Sequence, residues 1–149
     1  HRDRVADYID EGVAQGATLM ADGRDLLGGD GFFVGPTLFD NVTTDMSIYT
    51  DEIFGPVLSA FSFDTIDEVL TRANATSFGL GSGVWTSNLA TAHRMARGIK
   101  AGSVWVNCYQ MLDPGVPFGG YKLSGFGRES GPHHIEEYLE TKAVWINLD

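Results

Sequence analysis

Between Val57 and Tyr109 the chain alternates between strand-like and helix-like patterns, and this alternation limits the available folds more than any other feature. Val57 to Phe63 reads as a strand. Asp64 or Thr65 can cap a helix in which Ile66, Val69, Leu70 and Ala73 recur at helical spacing, with Gly79 beyond its end. Leu80 to Thr86 is a strand of small residues. Ser87 or Asn88 caps a second helix carrying Leu89, Ala92, Met95, Ala96 and Ile99, which stops in Gly98 to Gly102. Arg94, Arg97 and Lys100 are favourably placed near its negative end. Ser103 to Tyr109 follows, and its run Val104-Trp105-Val106 has the continuous apolar character of a strand buried on both faces. The order predicts an α/β fold, a parallel-sheet layer of strand-helix alternations with right-handed crossovers.

The flanks read less regularly. From Arg2 to Gly16, Val5, Tyr8, Ile9 and Val13 mark an amphipathic helix whose other face carries Asp3, Asp7, Asp10 and Glu11. Ala17 to Met20 reads as a short strand, Ala21 to Gly31 as turns, and Phe32 to Val42 as a strand pattern broken by Pro36. Met46 to Glu52 is ambiguous, with room for one helical turn. Met111 to Gly131 has no period and is rich in glycine, too long for an ordinary connection, and a loop of that kind usually lines something. His133 to Glu140 predicts a short helix. Thr141 to Leu148, through Val144, Trp145, Ile146 and Leu148, predicts a last strand.

A length of 149 residues with 43% hydrophobic side chains predicts one compact core. Twenty Asp and Glu against ten Lys and Arg give a formal charge of −10, which argues against nucleic acid or an anionic membrane as a partner. No apolar run approaches a bilayer span, and His1-Arg2-Asp3-Arg4 is not followed by the apolar stretch of a signal peptide. The single Cys108 excludes an internal disulfide, so the expected compartment is a reducing cytoplasm.

Two segments hold residues suited to chemistry. In Asp51-Glu52-Ile53-Phe54-Gly55-Pro56-Val57 a carboxylate stands two residues before an aromatic ring, at a bend stiffened by Pro56. Such a carboxylate can accept hydrogen bonds from a sugar diol while the ring packs a flat heterocycle; alone, an exposed acid beside a core phenylalanine is the plainer reading. The loop from Pro117 to Gly131 brings Lys122 and Arg128 among glycines, a setting that can hold an anion, yet it lacks the helix and acid of a dinucleotide fingerprint and the Gly-Lys-Ser of a phosphate loop. His133, His134, Glu136 and Glu137 are metal-ligand types, but neighbouring helix positions point apart, so no metal site is expected there.

Taken in order, these motifs resemble the carboxyl-terminal part of the NAD(P)-dependent aldehyde dehydrogenase superfamily. Glu52-Ile53-Phe54-Gly55-Pro56-Val57 is similar to its Glu-x-Phe-Gly-Pro motif, and Gly102 to Asn107 to its Gly-x-x-x-x-Asn strand. Pro117 to Gly120, Ser124-Gly125 and Gly127 to Glu129 resemble its closing loop. The resemblance implies a partial catalytic domain over residues 1–140 and an oligomerisation strand over 141–149, within an enzyme that oxidises an aldehyde to a carboxylic acid with NAD or NADP. It implies that Glu52 bonds the nicotinamide ribose and Phe54 contacts the nicotinamide. Asn107, Gly119, Gly120 and Gly125 would be structural supports, and Met111, Leu112 and Phe118 would line the aldehyde tunnel. Val144, Trp145 and Ile146 would meet another subunit of a homo-oligomer. Some relatives hold a monovalent cation where Lys122 and Gly125 fall; a plain turn is the better reading there, and no other metal is expected.

The family's nucleophilic cysteine and general-base glutamate lie upstream of the matched region, so these residues alone are expected to be inactive. Cys108 matches no family nucleophile and follows an apolar strand, so it reads as structural. The alternative to a piece of a dehydrogenase is a non-catalytic assembly module that docks on full-length subunits through the last strand.

Overall fold

A computed structural model of the chain describes residues 1–149, which form two compact units, His1–Asp64 and Thr65–Asp149. Every buried hydrophobic residue except Met95 belongs to the first unit, where these residues form a single core cluster. No helix is long and apolar enough to cross a membrane.

In the first unit, α1 (Arg2–Ala14) turns Val5 and Ile9, one helical turn apart, onto the core. Their neighbour there is Phe39 of β2 (Thr37–Asp40), fully buried at the centre of a three-stranded sheet. A Cβ at Gly12 would stand 2.9 Å from the Phe39 ring, so this glycine lets the helix approach the sheet. β1 (Thr18–Ala21) runs antiparallel to β2 with a bulge between Leu19 and Ala21, and β3 (Val57–Ser59) runs parallel on its other side. Pro36, which has no N–H to give a ladder, explains why β2 begins only at Thr37. The ambiguous stretch after Thr44 forms a single turn, α2 (Ser47–Thr50), tied to α1 by the Ser47 amide on Gln15 Oε1 (2.8 Å) and the Ser47 hydroxyl on Glu11 (2.8 Å).

The second unit holds the rest of the alternation. α3 (Ile66–Asn74) starts at Thr65, whose hydroxyl accepts from the Glu68 amide at 3.2 Å; α4 (Leu89–Gly98) starts at Asn88, whose side chain accepts from Thr91 at 3.0 Å. The two helices close on each other because a Cβ at Gly98 would sit 2.8 Å from Leu70, and the Asn74 amide bonds Gly98 O and Lys100 N across their ends. β5 (Gly81–Val84) and β6 (Ser103–Val106) pair in parallel on either side of α4, a strand-helix-strand unit. β4 (Phe78–Gly79) pairs antiparallel with β7 (Tyr121–Lys122). The α/β class holds, with parallel pairs in both units. The first strand of the alternation, however, pairs with β2, and β6 is half-buried along its length.

Two further expectations change near the carboxyl end. His133 to Glu140 forms a 3-10 helix over His134–Tyr138. Thr141 to Leu148, expected as a strand, has no regular structure and is exposed throughout. Its apolar pattern suits a strand, but no other strand of the chain pairs with it, and a strand without a neighbour has no ladder. Contacts within the chain group residues 141–149 with the second unit, Thr65–Asp149.

Candidate functional site

The Glu52–Phe54 bend is fixed by what lies on either side of its outward residues. Ile53 is buried in the core, while Glu52 and Phe54 face out. A Cβ at Gly55 would lie 2.7 Å from Val5, so only glycine lets the bend sit this close to α1. Phe54 adopts φ 57°, a left-handed conformation costly for an aromatic residue. Three contacts hold it: His1 Nε2 with the Phe54 carbonyl (2.7 Å), the His1 ring edge-on to Phe54 (6.3 Å between centroids), and Arg4 donating to the Glu52 carbonyl (3.2 Å). The Glu52 carboxylate is exposed and bonds no other group of the chain, and the Phe54 ring is 77% exposed. The result is an exposed acceptor and a largely exposed aromatic ring on one stiff bend.

In the second unit, Asn107 follows β6 with φ 56° and bonds Thr86 through both ends of its amide. A cavity of about 380 Å³ opens beside this strand end, lined by Leu80, Gly81, Trp105, Tyr109, Gln110, Leu112 and Phe118. Two of the three expected tunnel residues, Leu112 and Phe118, thus share one wall. Met111 does not line it; its side chain is exposed and its carbonyl accepts from Trp105 Nε1 at 2.8 Å. Trp105 and Tyr109 were missed from the sequence; the fold brings Trp105 to the cavity because Gly81 lies close by, where a Cβ would stand 2.7 Å from the Trp105 ring.

The closing loop is held largely by its own backbone. Phe118 and Glu129 exchange two main-chain hydrogen bonds of 2.7 Å. The Arg128 guanidinium donates to the carbonyls of Gly120 (2.9 Å) and Gly127 (2.6 Å) and lies over the Tyr121 ring. Lys122 Nζ donates to the Asn74 and Thr76 carbonyls at 2.9 Å each, beyond the end of α3. Both cations that suited an anion are therefore engaged with main-chain oxygens. Gly119 packs against Gly127 O and Arg128, and Gly120 against Ser124, where any Cβ would crowd the loop. Gly125, at φ 111°, donates to the Lys122 carbonyl at 3.3 Å, a turn that accounts for both residues. Cys108 is half-buried beside Asn107. Val144, Trp145 and Ile146 lie exposed in the terminal segment.

Residues 1–144 match the model of the aldehyde dehydrogenase family. The chain belongs to that family. It is 51% identical to aldehyde dehydrogenase 1 of Tanacetum cinerariifolium over 142 residues, covering 95% of this chain and 28% of that protein. Against betaine aldehyde dehydrogenase of Rhizobium etli the identity is 48%, over 99% of this chain and 31% of that one. The solved structure of a Bacillus cereus aldehyde dehydrogenase in complex with NAD+ superimposes with a TM-score of 0.88 at 46% identity, covering 99% of this chain and 30% of that chain. This member of the family thus spans about 30% of the length of the relatives it matches.

Proposed function

We propose that this chain is the carboxyl-terminal portion of an NAD(P)-dependent aldehyde dehydrogenase, an enzyme that oxidises an aldehyde to a carboxylic acid. The observation that carries the reading is the Glu52–Phe54 bend. A carboxylate left without any partner, two residues from an exposed ring held in a disfavoured conformation, suits a ribose diol and the edge of a nicotinamide. The cofactor would supply the hydride acceptor. Glu52 would accept from its ribose hydroxyls, and Phe54 would limit where the ring can lie. Leu112 and Phe118 would shape the path of the aldehyde, with Met111 at its rim. An apolar wall favours aliphatic or aromatic aldehydes, because a buried charge without a partner is costly there. Asn107 would brace the strand end beneath them.

The nucleophile and general base would come from the preceding part of the subunit, with Cys108 structural. Val144, Trp145 and Ile146 would pair with a second subunit of a homo-oligomer, whose expected compartment is the cytoplasm. The exposed apolar terminus also favours a second reading, a non-catalytic module docking on full-length subunits through that segment.

The test is the native size of the product, followed by kinetics. An antibody against the closing loop should detect a band near the size of a full family subunit; a native product of about 16 kDa favours the assembly module instead. In the full-length enzyme, Glu52→Gln should raise the KM for NAD+ or NADP+ by roughly tenfold or more, the weight of a hydrogen bond to a charged group, with the aldehyde KM little changed. Residues 1–149 alone should turn over no aldehyde, and appreciable activity from them would sink the division of labour described here.

A further inference from the structure

We propose that the indole N–H of Trp105 is a positioning group that holds Leu112 in the cavity wall and thereby sets which apolar aldehydes the site accepts. This rests on the dehydrogenase reading above. Trp105 stands on β6, each residue of which pairs with β5, and its ring lies against Gly81 and meets the Tyr109 ring edge-on at 5.2 Å between centroids. The donor is therefore fixed by regular structure. Its acceptor, the Met111 carbonyl at 2.8 Å, lies in an irregular loop, and this is the one hydrogen bond that ties residues 110–112 to the rest of the chain. Just before it, Gln110 stands at φ 55°, a left-handed conformation that a non-glycine residue holds only when its surroundings impose it. That reversal presents the Met111 carbonyl to the indole and places the next residue, Leu112, in the cavity wall beside Trp105 and Phe118. Without the N–H, Gln110 can relax to a commoner conformation, and Leu112 leaves the wall with it.

The test uses the full-length subunit with a series of straight-chain aldehydes. Trp105→Phe keeps an apolar ring and removes only the donor and the second ring. It should raise KM for the shortest aldehydes by about tenfold and for long ones less, since a short chain depends most on a wall of the right depth. The kcat should stay within about twofold, and the KM for the nicotinamide cofactor should not move, which a general loss of folding would not produce. Leu112→Ala, which leaves the indole in place, should give the same size-dependent rise. In the Leu112→Ala background, Trp105→Phe should add far less than it does in the wild type, only the direct loss of its own second ring from the wall, because its main effect runs through Leu112. An unchanged KM in either single variant, or effects that multiply in the double variant, would overturn the proposal. A wild-type subunit that oxidises no aldehyde with either cofactor would instead remove the dehydrogenase reading, and this one with it.

Discussion

Asn107 grips the peptide of Thr86 with both ends of its amide: Oδ1 accepts from Thr86 N at 2.9 Å, and Nδ2 donates to the Thr86 carbonyl at 3.0 Å. The pair extends the β5–β6 ladder past its last residues, where Asn107 N also donates to Val84 O at 2.8 Å. Asparagine suits the place twice over, since it supplies donor and acceptor and tolerates φ 56° better than most residues. Asn107→Ala should lower unfolding stability by about 2 kcal/mol, combining two lost hydrogen bonds with a left-handed alanine. Asn107→Gly loses the same bonds without the conformational cost, so its urea midpoint should lie between alanine and wild type. Equal midpoints for the two variants would show that the backbone conformation contributes nothing.

Gly102 faces the carbonyl of Gly119 so closely that a Cβ would overlap it, and its own N–H donates to Gly79 O at 3.0 Å. The strand start and the closing loop therefore meet main chain to main chain, with no flexible side chain to yield. Gly102→Ala should cost roughly 3 kcal/mol or more, the range of severe overpacking. Gly28→Ala serves as the control, because a Cβ there meets open space, and its melting temperature should stay near that of wild type. A mild Gly102→Ala would mean that the closing loop can shift away without loss.

Asp22 and Arg24 make the clearest electrostatic prediction. The Asp22 carboxyl is held at about 2, first by the hydrogen bonds from the Arg24 side chain and then by the one from its backbone amide. Arg24 also pairs with Asp10, which links the short turn after β1 to α1. A carboxyl whose folded pKa lies below its unfolded value stabilises the fold above the unfolded value of 3.8, and the contribution is lost as pH falls toward 2. Asp22→Asn should therefore be less stable than wild type at neutral pH, with the gap in urea midpoint closing between pH 4 and pH 2. A gap that is constant across that window would show that the hydrogen bonds matter and the ionisation does not.

The readable parts of the fold are those decided locally. Of the two candidates for each helix, Thr65 and Asn88 are the caps, Pro36 delays β2, and the strand-helix-strand unit around α4 forms in parallel. The choice of partner for β3 was not readable, because three residues carry no signal of which neighbour they join. At the site, Glu52 and Phe54 could be named from their motif, but the left-handed backbone that turns Phe54 outward depends on contacts with His1 and the core beneath Ile53. Leu112 and Phe118 were readable as apolar loop residues. Trp105 was not, because a strand residue in an apolar run looks the same whether its indole N–H reaches a loop or not.

The terminal segment offers the last prediction. Val144, Trp145 and Ile146 are 70%, 94% and 76% exposed, an arrangement whose apolar cost ends only when another surface covers it. Their continuous apolar, β-branched and aromatic run suits a strand, and what they lack within this chain is a neighbour to complete a ladder. On our proposal a second subunit would supply one, and burying the Trp145 side chain would then contribute about 3 kcal/mol per interface. In the full-length protein Trp145→Glu should shift sedimentation velocity toward smaller species at micromolar concentration, with secondary structure unchanged by circular dichroism. Trp145→Phe, apolar and nearly as broad, should retain most of the assembly. Unaltered sedimentation of Trp145→Glu would place the subunit contact elsewhere and leave this segment without a role in it.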